Sequence, residues 1–257
     1  MSKIISIHSF RGGTGKSNTT SSLAVLIASE GRRVGVIDTD IQSPGIHVLF
    51  GLRADDIKRS LNDYLWGNCT IEQTAVDVTG NLKTNDGAPG VGSGKIFLIP
   101  SSMKAGEIAR ILREGMNVDL LRDGLRRIVQ ELALDVLLID THPGLNEETL
   151  LSIALSNALV VIMRPDQQDF QGTVVTVEVA RKLGVKRMMI LVNKTPRTLD
   201  PVDVKTQVEQ TYKCEVAAVL HHSDEMMDLG SASVFALRYP NHTITQTLKK
   251  LSESLMA

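Results

Sequence analysis

A segment of glycines, one lysine and one serine near the N-terminus has the composition of a phosphate site. Residues 10–17 read Phe-Arg-Gly-Gly-Thr-Gly-Lys-Ser, after an Ile-rich run that predicts a strand and before an Ala/Leu-rich run that predicts a helix. In that setting glycines let successive N–H groups converge on phosphate oxygens, and the start of the helix adds the positive end of its dipole. Lys16 then meets the β and γ phosphates, and Ser17 offers a hydroxyl to Mg²⁺. The segment predicts a nucleotide-binding loop.

Carboxylates follow two other predicted strands. Asp38 and Asp40 come after the strand at 34–37, and Asp140 comes directly after the strand at 135–139, which ends in four apolar residues. In an open α/β sheet the carboxyl ends of parallel strands border the ligand crevice, so these side chains are expected beside the loop. Asp near Ser-Pro is also typical of an ordinary solvated turn. Because the same chain also has the glycine-rich loop, a nucleotide-site role for these carboxylates is favoured over a solvated turn.

The loop departs from the ordinary phosphate-loop pattern in a way that resembles a known family. That pattern begins with Gly, but position 10 is Phe10. The segment resembles the deviant Walker A motif of ParA/MinD-type ATPases, Lys-Gly-Gly-x-Gly-Lys-Ser/Thr, with Arg11 in place of its signature lysine. The resemblance implies an ATPase with ATP and Mg²⁺ as cofactors, and a cation that reaches the nucleotide of the second subunit in a dimer. Arg11 keeps that charge with a different shape.

The resemblance also assigns roles to the residues of the site. Asp40 would position the attacking water, Asp38 would help to hold the Mg²⁺ shell, and Asp140 would accept hydrogen bonds from Mg²⁺-bound water. Asn193 resembles the family's base-recognising Asn, whose amide both donates and accepts, and the segment from His221 resembles a last loop that borders the base. The implied catalytic residues are Lys16, Asp40 and Arg11; the metal residues are Ser17, Asp38 and Asp140; the nucleotide-binding residues are Arg11, Gly12, Gly13, Thr14, Gly15, Lys16, Ser17, Asn18 and Asn193.

Two other features receive no part in the site. His142 stands where the family often has Pro or Ala, and we predict a solvent-facing loop residue without a catalytic role. The stretch 81–95 contains four glycines. It lacks a following Lys-Ser or Lys-Thr and precedes a strand, so it predicts a plain, mobile surface loop.

Composition restricts the class of protein. The 257 residues include 28 Lys plus Arg and 29 Asp plus Glu, for a net charge of −1, and 42% are hydrophobic. These values exclude a disordered or collagen-like chain and argue against nucleic-acid binding through bulk charge, although a local basic patch stays open. Cys69 and Cys214 form no C-x-x-C pair, which argues against a disulfide framework or a zinc site. The apolar runs are too short for a bilayer span, which predicts a cytoplasmic protein.

Short apolar runs alternate with helical stretches along the chain. Runs without polar alternation are typical of strands buried on both faces of a parallel sheet. The pattern predicts an α/β fold, doubly wound, with a mostly parallel sheet flanked by helices. Together with the family resemblance, it implies that residues 1–257 form a single P-loop ATPase domain. Strands are predicted at 3–8, 34–37, 96–100, 135–139, 158–163, 188–192 and 216–220, and helices at 17–30, 105–113, 118–132 and 147–156.

The resemblance predicts a slow ATPase that forms a homodimer with ATP, binds nucleoid DNA non-specifically and positions a cargo such as a plasmid, chromosome or carboxysome. An adaptor protein would stimulate hydrolysis and release the dimer. Three further segments, at 49–52, 100–115 and 233–242, resemble those of the carboxysome-positioning McdA group. Phosphate contacts with DNA come from Lys and Arg. The candidates in the C-terminal third are Arg181, Lys182, Lys186, Arg187, Lys205, Lys213, Lys249 and Lys250.

Other functions stay open. A MinD-like membrane-associated ATPase needs a broad, basic amphipathic helix, whereas Ile244, Leu248, Leu251 and Leu255 form a narrow stripe that predicts a helix docked on the protein's own core. An ATP-dependent metabolic ligase needs a substrate pocket that no motif marks. Arg11 keeps a third class open, a nucleotide-dependent binding module that barely hydrolyses. A nitrogenase-iron-protein interpretation lacks cysteines near the carboxylate segments.

Overall fold

The computed structural model describes residues 2–257, built around an eight-stranded sheet. The strands are β1 Lys3–His8, β2 Arg33–Asp38, β3 Val76–Asp77, β4 Lys95–Ile99, β5 Val136–Asp140, β6 Ala158–Met163, β7 Arg187–Thr195 and β8 Glu215–His221. Their order is β3-β4-β2-β5-β1-β6-β7-β8. Every neighbouring pair is parallel except β3 with β4. The predicted doubly wound, mostly parallel sheet is confirmed.

Helices connect the strands and cover both faces of the sheet. They are α1 Lys16–Ser29, α2 Ile46–Leu49, α3 Leu61–Leu65, α4 Ala105–Glu114, α5 Val118–Glu131, α6 Glu147–Leu155, α7 Gln167–Lys182, α8 Pro201–Tyr212, α9 Asp224–Asp228, α10 Phe235–Arg238 and α11 Thr243–Met256. Helices α1, α10 and α11 pack with one face of the strands, and apolar residues of α3 to α8 pack with the other. Because both faces are covered, the strands are apolar at nearly every position.

Two parts of the predicted pattern need correction. The two-residue strand β3 has no apolar run of its own and was not predicted from the sequence. The glycine-rich stretch 81–95 is a loop, but it is anchored rather than free: Leu82 and Val91 are buried in the main core. A Cβ on Gly94 would lie 1.9 Å from the Ala28 carbonyl oxygen, so the loop backbone lies directly against α1.

The C-terminal helix α11 is docked as predicted. Its apolar stripe is buried, and the helix packs against α1. The ammonium of Lys3 donates to the Leu255 carbonyl, and the Arg187 guanidinium donates to the carbonyl and hydroxyl of Ser254. Cations at this end of a helix also compensate its dipole. Arg187, a DNA candidate from the sequence, is therefore engaged within the protein.

Candidate nucleotide site

The glycine-rich loop turns sharply between β1 and α1. Gly13 and Gly15 have φ of +75° and +101°, which side chains rarely adopt, and Gly15 caps α1. Lys16 is 8% exposed, and its ammonium donates to the Ser9 hydroxyl at 3.2 Å. Burial lowers the Lys16 pKa, whereas the nearby Asp140, Asp40 and Asp38 raise it. The structure thus holds one buried cation at the base of a backbone cradle.

Phe10 stands where the ordinary phosphate-loop pattern has glycine, and its phenyl ring is accommodated against α7. A Cβ on Gly172 of α7 would lie 2.1 Å from this ring, so Phe10 packs directly on the helix backbone. The ring occupies space that a side chain at 172 would otherwise need. The departure from the ordinary pattern is therefore a packing arrangement outside the phosphate cradle.

Two hydroxyls and one carboxylate lie together beside the cradle. The Ser17 hydroxyl donates to Asp140 Oδ2 at 2.7 Å, and Thr20 Oγ1 donates to Asp140 Oδ1 at 3.1 Å. Burial raises the Asp140 pKa to about 6, against the opposing effects of Ser17, Lys16 and Thr20. Within residues 2–257, no cluster of three acidic, His or Cys side chains is arranged to hold a metal. A hydroxyl and one carboxylate fit Mg²⁺, which keeps several waters and shares nucleotide phosphates.

Thr20 was missed in the sequence, although it lies one helical turn beyond Lys16 in the run Lys-Ser-Asn-Thr-Thr. This i, i+4 spacing from Lys16 is the sequence signal that could have identified Thr20 as a site residue.

Asp38 shapes the turn that carries Asp40. Its side chain is 1% exposed, and its two oxygens accept the backbone N–H groups of Asp40 and Gly45 at 3.0 and 3.2 Å. Burial first, and then Asp140, raises the Asp38 pKa well above its usual value. The structure gives Asp38 a definite task, which is to hold the turn. Its predicted place in the Mg²⁺ shell stays a prediction.

His142 faces Asp40 instead of solvent, so its predicted position was wrong. Nε2 of His142 lies 3.8 Å from Oδ1 of Asp40, and the two side chains are 21% and 17% exposed. Burial raises the Asp40 pKa, while His142, the Ser43 N–H and Lys16 lower it. The residue that stands at a Pro or Ala position of the family motif thus lies against the carboxylate predicted to orient water.

His8 is a second histidine that the sequence did not single out. Thr141 Oγ1 donates to the Ile7 carbonyl, so it accepts from His8 Nδ1 at 2.8 Å. This direction places a proton of the His8 ring on Nδ1, and its buried Nε2 has no hydrogen-bond partner among the described residues. Burial, then Lys16, lowers the His8 pKa to about 3. His8 ties the strand before the loop to the turn after Asp140.

Arg11 points away from the cradle. Its guanidinium lies 3.6 Å from Asp166 and 3.5 Å from Asp169, two acidic residues at the start of α7. Asp169 is 2% exposed and also accepts from the Arg164 guanidinium and backbone. In this structure the residue at the signature-lysine position is held by its own chain.

Asn193 and Lys194 contact the loop from β7. Asn193 is buried, and its Nδ2 donates to the Thr14 carbonyl at 2.8 Å, while its Oδ1 accepts the Lys194 N–H. The Lys194 ammonium donates to the Gly13 carbonyl at 2.8 Å. Asn193 lies where the sequence predicted, but part of its amide is committed to the loop. Lys194 was not predicted, since only the folded sheet brings it to the loop.

These elements surround a cavity of about 500 Å³ at the carboxyl edge of the sheet. Most predicted nucleotide residues line it, whereas Thr14, Asp38 and Asp140 are buried behind it and Arg11 is outside it. Its far end has the histidines and methionines of the segment from His221. The predicted residues in its wall are Gly12, Gly13, Gly15, Lys16, Ser17, Asn18, Asp40 and Asn193, and the far end comprises His221, His222, Ser223, Met226 and Met227.

Comparison with known proteins identifies the family. A protein-family model described as an AAA domain matches residues 2–190. The chain belongs to this family. The fold of this AAA protein is that of ParA/MinD-type ATPases, as the resemblance predicted. MinD of Pyrococcus horikoshii in complex with Mg-ADP superposes with a TM-score of 0.80 at 20% identity, covering 99% of this chain and 96% of that one. The bound Mg-ADP of that structure agrees with the expected ATP and Mg²⁺.

Other relatives of this AAA protein have different roles. Apo McdA from Cyanthece superposes with a TM-score of 0.77 at 17% identity, over 99% of this chain and 100% of that one. An ATP-binding protein of Methanocaldococcus jannaschii is 23% identical over 100% of this chain and 88% of its own length. The cytosolic Fe-S cluster assembly factor CFD1 of Chaetomium globosum is 29% identical over 75% of this chain and 58% of its own length. These roles belong to those proteins.

Proposed function

We propose that this AAA protein is a slow ATPase that forms a homodimer around ATP and Mg²⁺, binds DNA through surface cations, and positions a cargo with an adaptor protein that stimulates hydrolysis. The observation that carries the ATPase proposal is the meeting of Lys16, Ser17, Asp140 and Asp40 at one end of the sheet. Lys16 and Ser17 begin α1, Asp140 ends β5 and Asp40 follows β2, and together they supply a phosphate cation, metal ligands and a carboxylate at the cavity.

The residues divide the chemistry between them. Lys16 and the loop N–H groups bind the phosphates, and Ser17 with Asp140 would hold Mg²⁺. The metal, when bound, neutralises charge that develops on the β and γ phosphates. Asp40 orients a water for attack, and His142 lies on one side of Asp40 and restricts its movement. Release of Arg11 from Asp166 and Asp169 would free a cation for the second subunit.

The DNA part of the proposal is supported by charges that the protein leaves unpaired. Arg181 donates to the Lys213 backbone carbonyl, Arg187 to Ser254, and Lys205 lies 3.8 Å from Glu209, so these three are engaged internally. Five other candidates are exposed, and none forms an ion pair within the described residues 2–257. They are Lys182, Lys186, Lys213, Lys249 and Lys250.

Two functions suggested by relatives are less well supported. A cluster carrier needs converging cysteines, and Cys69 and Cys214 lie in different core clusters, both partly buried. A membrane anchor needs an exposed apolar face, but the stripe of α11 is buried. None of the helices described in residues 2–257 is long and apolar enough to cross a bilayer.

The test measures the oligomeric state and the DNA affinity of the protein with ATP and with ADP. Light scattering is expected to give a dimer with ATP and Mg²⁺ and a monomer with ADP. Fluorescence anisotropy with random duplex DNA is expected to show binding only in the ATP state, with affinity falling steeply with salt. Arg11→Ala should stay monomeric with ATP while still binding it. A wild-type monomer with ATP, or DNA binding indifferent to nucleotide, would falsify the proposal.

A further inference from the structure

Lys194 has a backbone conformation that is costly for its residue type. It lies in β7 with φ +56°, in the left-handed region. The register between β7 and β8 shifts between Val192 and Thr195, so the strand is irregular at this point. A left-handed conformation is costly for a non-glycine residue, because its Cβ comes too close to the carbonyl oxygen that follows. Strain of this kind concentrates at functional sites, where surrounding contacts maintain it.

The irregular backbone directs two adjacent side chains to two adjacent carbonyls of the phosphate loop. The Lys194 ammonium donates to the Gly13 carbonyl and the Asn193 amide donates to the Thr14 carbonyl, both at 2.8 Å. The Asn193 oxygen accepts the Lys194 N–H at 2.9 Å, which links the pair. More than 170 residues separate the loop from this part of β7. The contact is therefore made by the fold and not by local sequence.

Gly15 shows how closely β7 approaches the loop. A Cβ at Gly15 would lie 2.5 Å from Asn193 Nδ2, and its φ of +101° already excludes most side chains. The amide of Asn193 therefore occupies the space beside the last turn of the loop. This contact and the two carbonyl bonds restrain the Gly13–Gly15 segment at three consecutive residues.

We propose that Lys194 and Asn193 form a clamp that holds the phosphate loop in its binding conformation before nucleotide arrives, and that Lys194 is a positioning residue of the site. N–H groups that converge on an anion leave their carbonyls directed elsewhere, and a donor on those carbonyls stabilises the arrangement. The proposal rests on the proposed nucleotide binding but on neither dimerisation nor DNA binding.

The clamp predicts a specific kinetic pattern. A preformed loop binds the phosphates equally well in the ground state and in the transition state, so loss of the clamp weakens binding without slowing the chemical step. Hydrogen bonds that involve a charged group contribute more than neutral ones. Because Lys194 is exposed, we expect about a tenfold loss of affinity for ADP and ATP alike.

The experiment compares Lys194→Met with wild type, with Lys58→Met as a matched control that removes an exposed lysine outside the proposed nucleotide and DNA sites. ADP and ATP dissociation constants are measured by titration, and hydrolysis is measured in single turnovers. Lys194→Met should bind both nucleotides about tenfold more weakly, with the hydrolysis rate of bound ATP within about twofold of wild type. Lys194→Gly, which relieves the positive φ, should show the same loss, and Lys194→Arg should recover most of the affinity.

Hydrogen exchange tests whether the clamp restrains the loop in the absence of nucleotide. Amides of residues 11–17 should exchange faster in nucleotide-free Lys194→Met than in wild type or Lys58→Met. Unchanged exchange, unchanged affinity, or a slower chemical step at unchanged affinity would each overturn the clamp. A wild-type protein that binds no nucleotide would overturn the proposed function instead, and the exchange comparison would still decide whether β7 restrains the loop.

Discussion

The charged side chains at the two edges of the central sheet differ in burial and in their partners. At the carboxyl edge Lys16, Asp38 and Asp140 are each less than a tenth exposed, and every one has a hydrogen-bond partner. At the amino edge Lys186 and Lys213 lie beside the starts of β7 and β8, exposed and without an ion pair in the described residues. Buried, linked charges are costly to remove singly, whereas exposed charges act weakly and in sum.

Strand direction explains the division. A parallel sheet with crossover helices gathers helix starts and loop N–H groups at the carboxyl edge, which favours anions there. The same topology gathers helix ends at the amino edge, where cations compensate the dipoles. Arg181 and Lys182 end α7 in this way. The amino-edge lysines therefore have a structural use as well as the proposed one, and a DNA test has to change several of them together.

The largest expected effect comes from Lys16→Ala at the carboxyl edge. It removes the buried cation of the cradle, and we expect nucleotide binding to be abolished. Titration with labelled ATP and Mg²⁺ measures this, with Lys182→Ala as the matched amino-edge control. If Lys16→Ala bound ATP as tightly as wild type, the phosphate-loop assignment would be wrong. The two edges would then not differ in the effect of removing one charge.

Asp40→Ala separates binding from turnover at the same edge. ATP binding should persist because the cradle is intact, and hydrolysis should fall by about 10²- to 10⁴-fold, as for loss of a positioned catalytic group. Single-turnover assays measure the rate, and light scattering should find the ATP dimer trapped. Normal hydrolysis in this variant would move the catalytic role to another carboxylate.

His8 predicts how stability at the buried edge depends on pH. Its folded pKa is about 3, below the usual 6.5, so the unfolded chain binds the proton first as pH falls. The stability that His8 contributes is thus complete above about pH 6.5 and is lost towards pH 3, at up to ~1.4 kcal/mol per pH unit. Urea unfolding of wild type and His8→Gln at pH 7, 6 and 5 should show the shallower loss in the variant. Parallel pH curves would contradict the buried neutral ring.

The amino edge provides the smallest single effects. Each DNA phosphate contact contributes about 0.9 to the slope of log affinity against log salt. Lys213→Gln should lower the magnitude of that slope by about 0.9 or less, the value for one phosphate contact. Combining it with Lys182→Gln and Lys186→Gln should lower the slope further. Anisotropy at several salt concentrations measures the slopes, with Lys58→Gln as a control. A single variant that abolishes DNA binding would show that this edge does not act in sum.

Sequence reasoning succeeded where a motif is local. The loop at 10–17 and the strand-end carboxylates could be located because a strand, a turn and a helix start carry their own patterns. Seven strands were predicted for the same reason, and the short β3 was missed because two half-exposed residues carry no pattern. The docked α11 followed from its narrow stripe.

The rest of the site depends on contacts between distant segments. Arg11 meets Asp169 from 158 residues away, and His8 meets Thr141 from 133. His142 looked like a loop residue because nothing in its neighbours indicates that Asp40 folds against it. Such pairs form when separate loops end at one edge of the sheet, so only the assembled fold reveals them.

The contact between Phe10 and Gly172 has a consequence for tracing ancestry. The large side chain of Phe10 fits because Gly172 on α7 has no side chain, so the two residues share one limited space. Among descendants of a common ancestor, they are expected to change together, with a small residue at one accompanying a larger one at the other. A search that demands glycine at position 10 would overlook such chains, whereas a search on the summed size of the two residues would retain them.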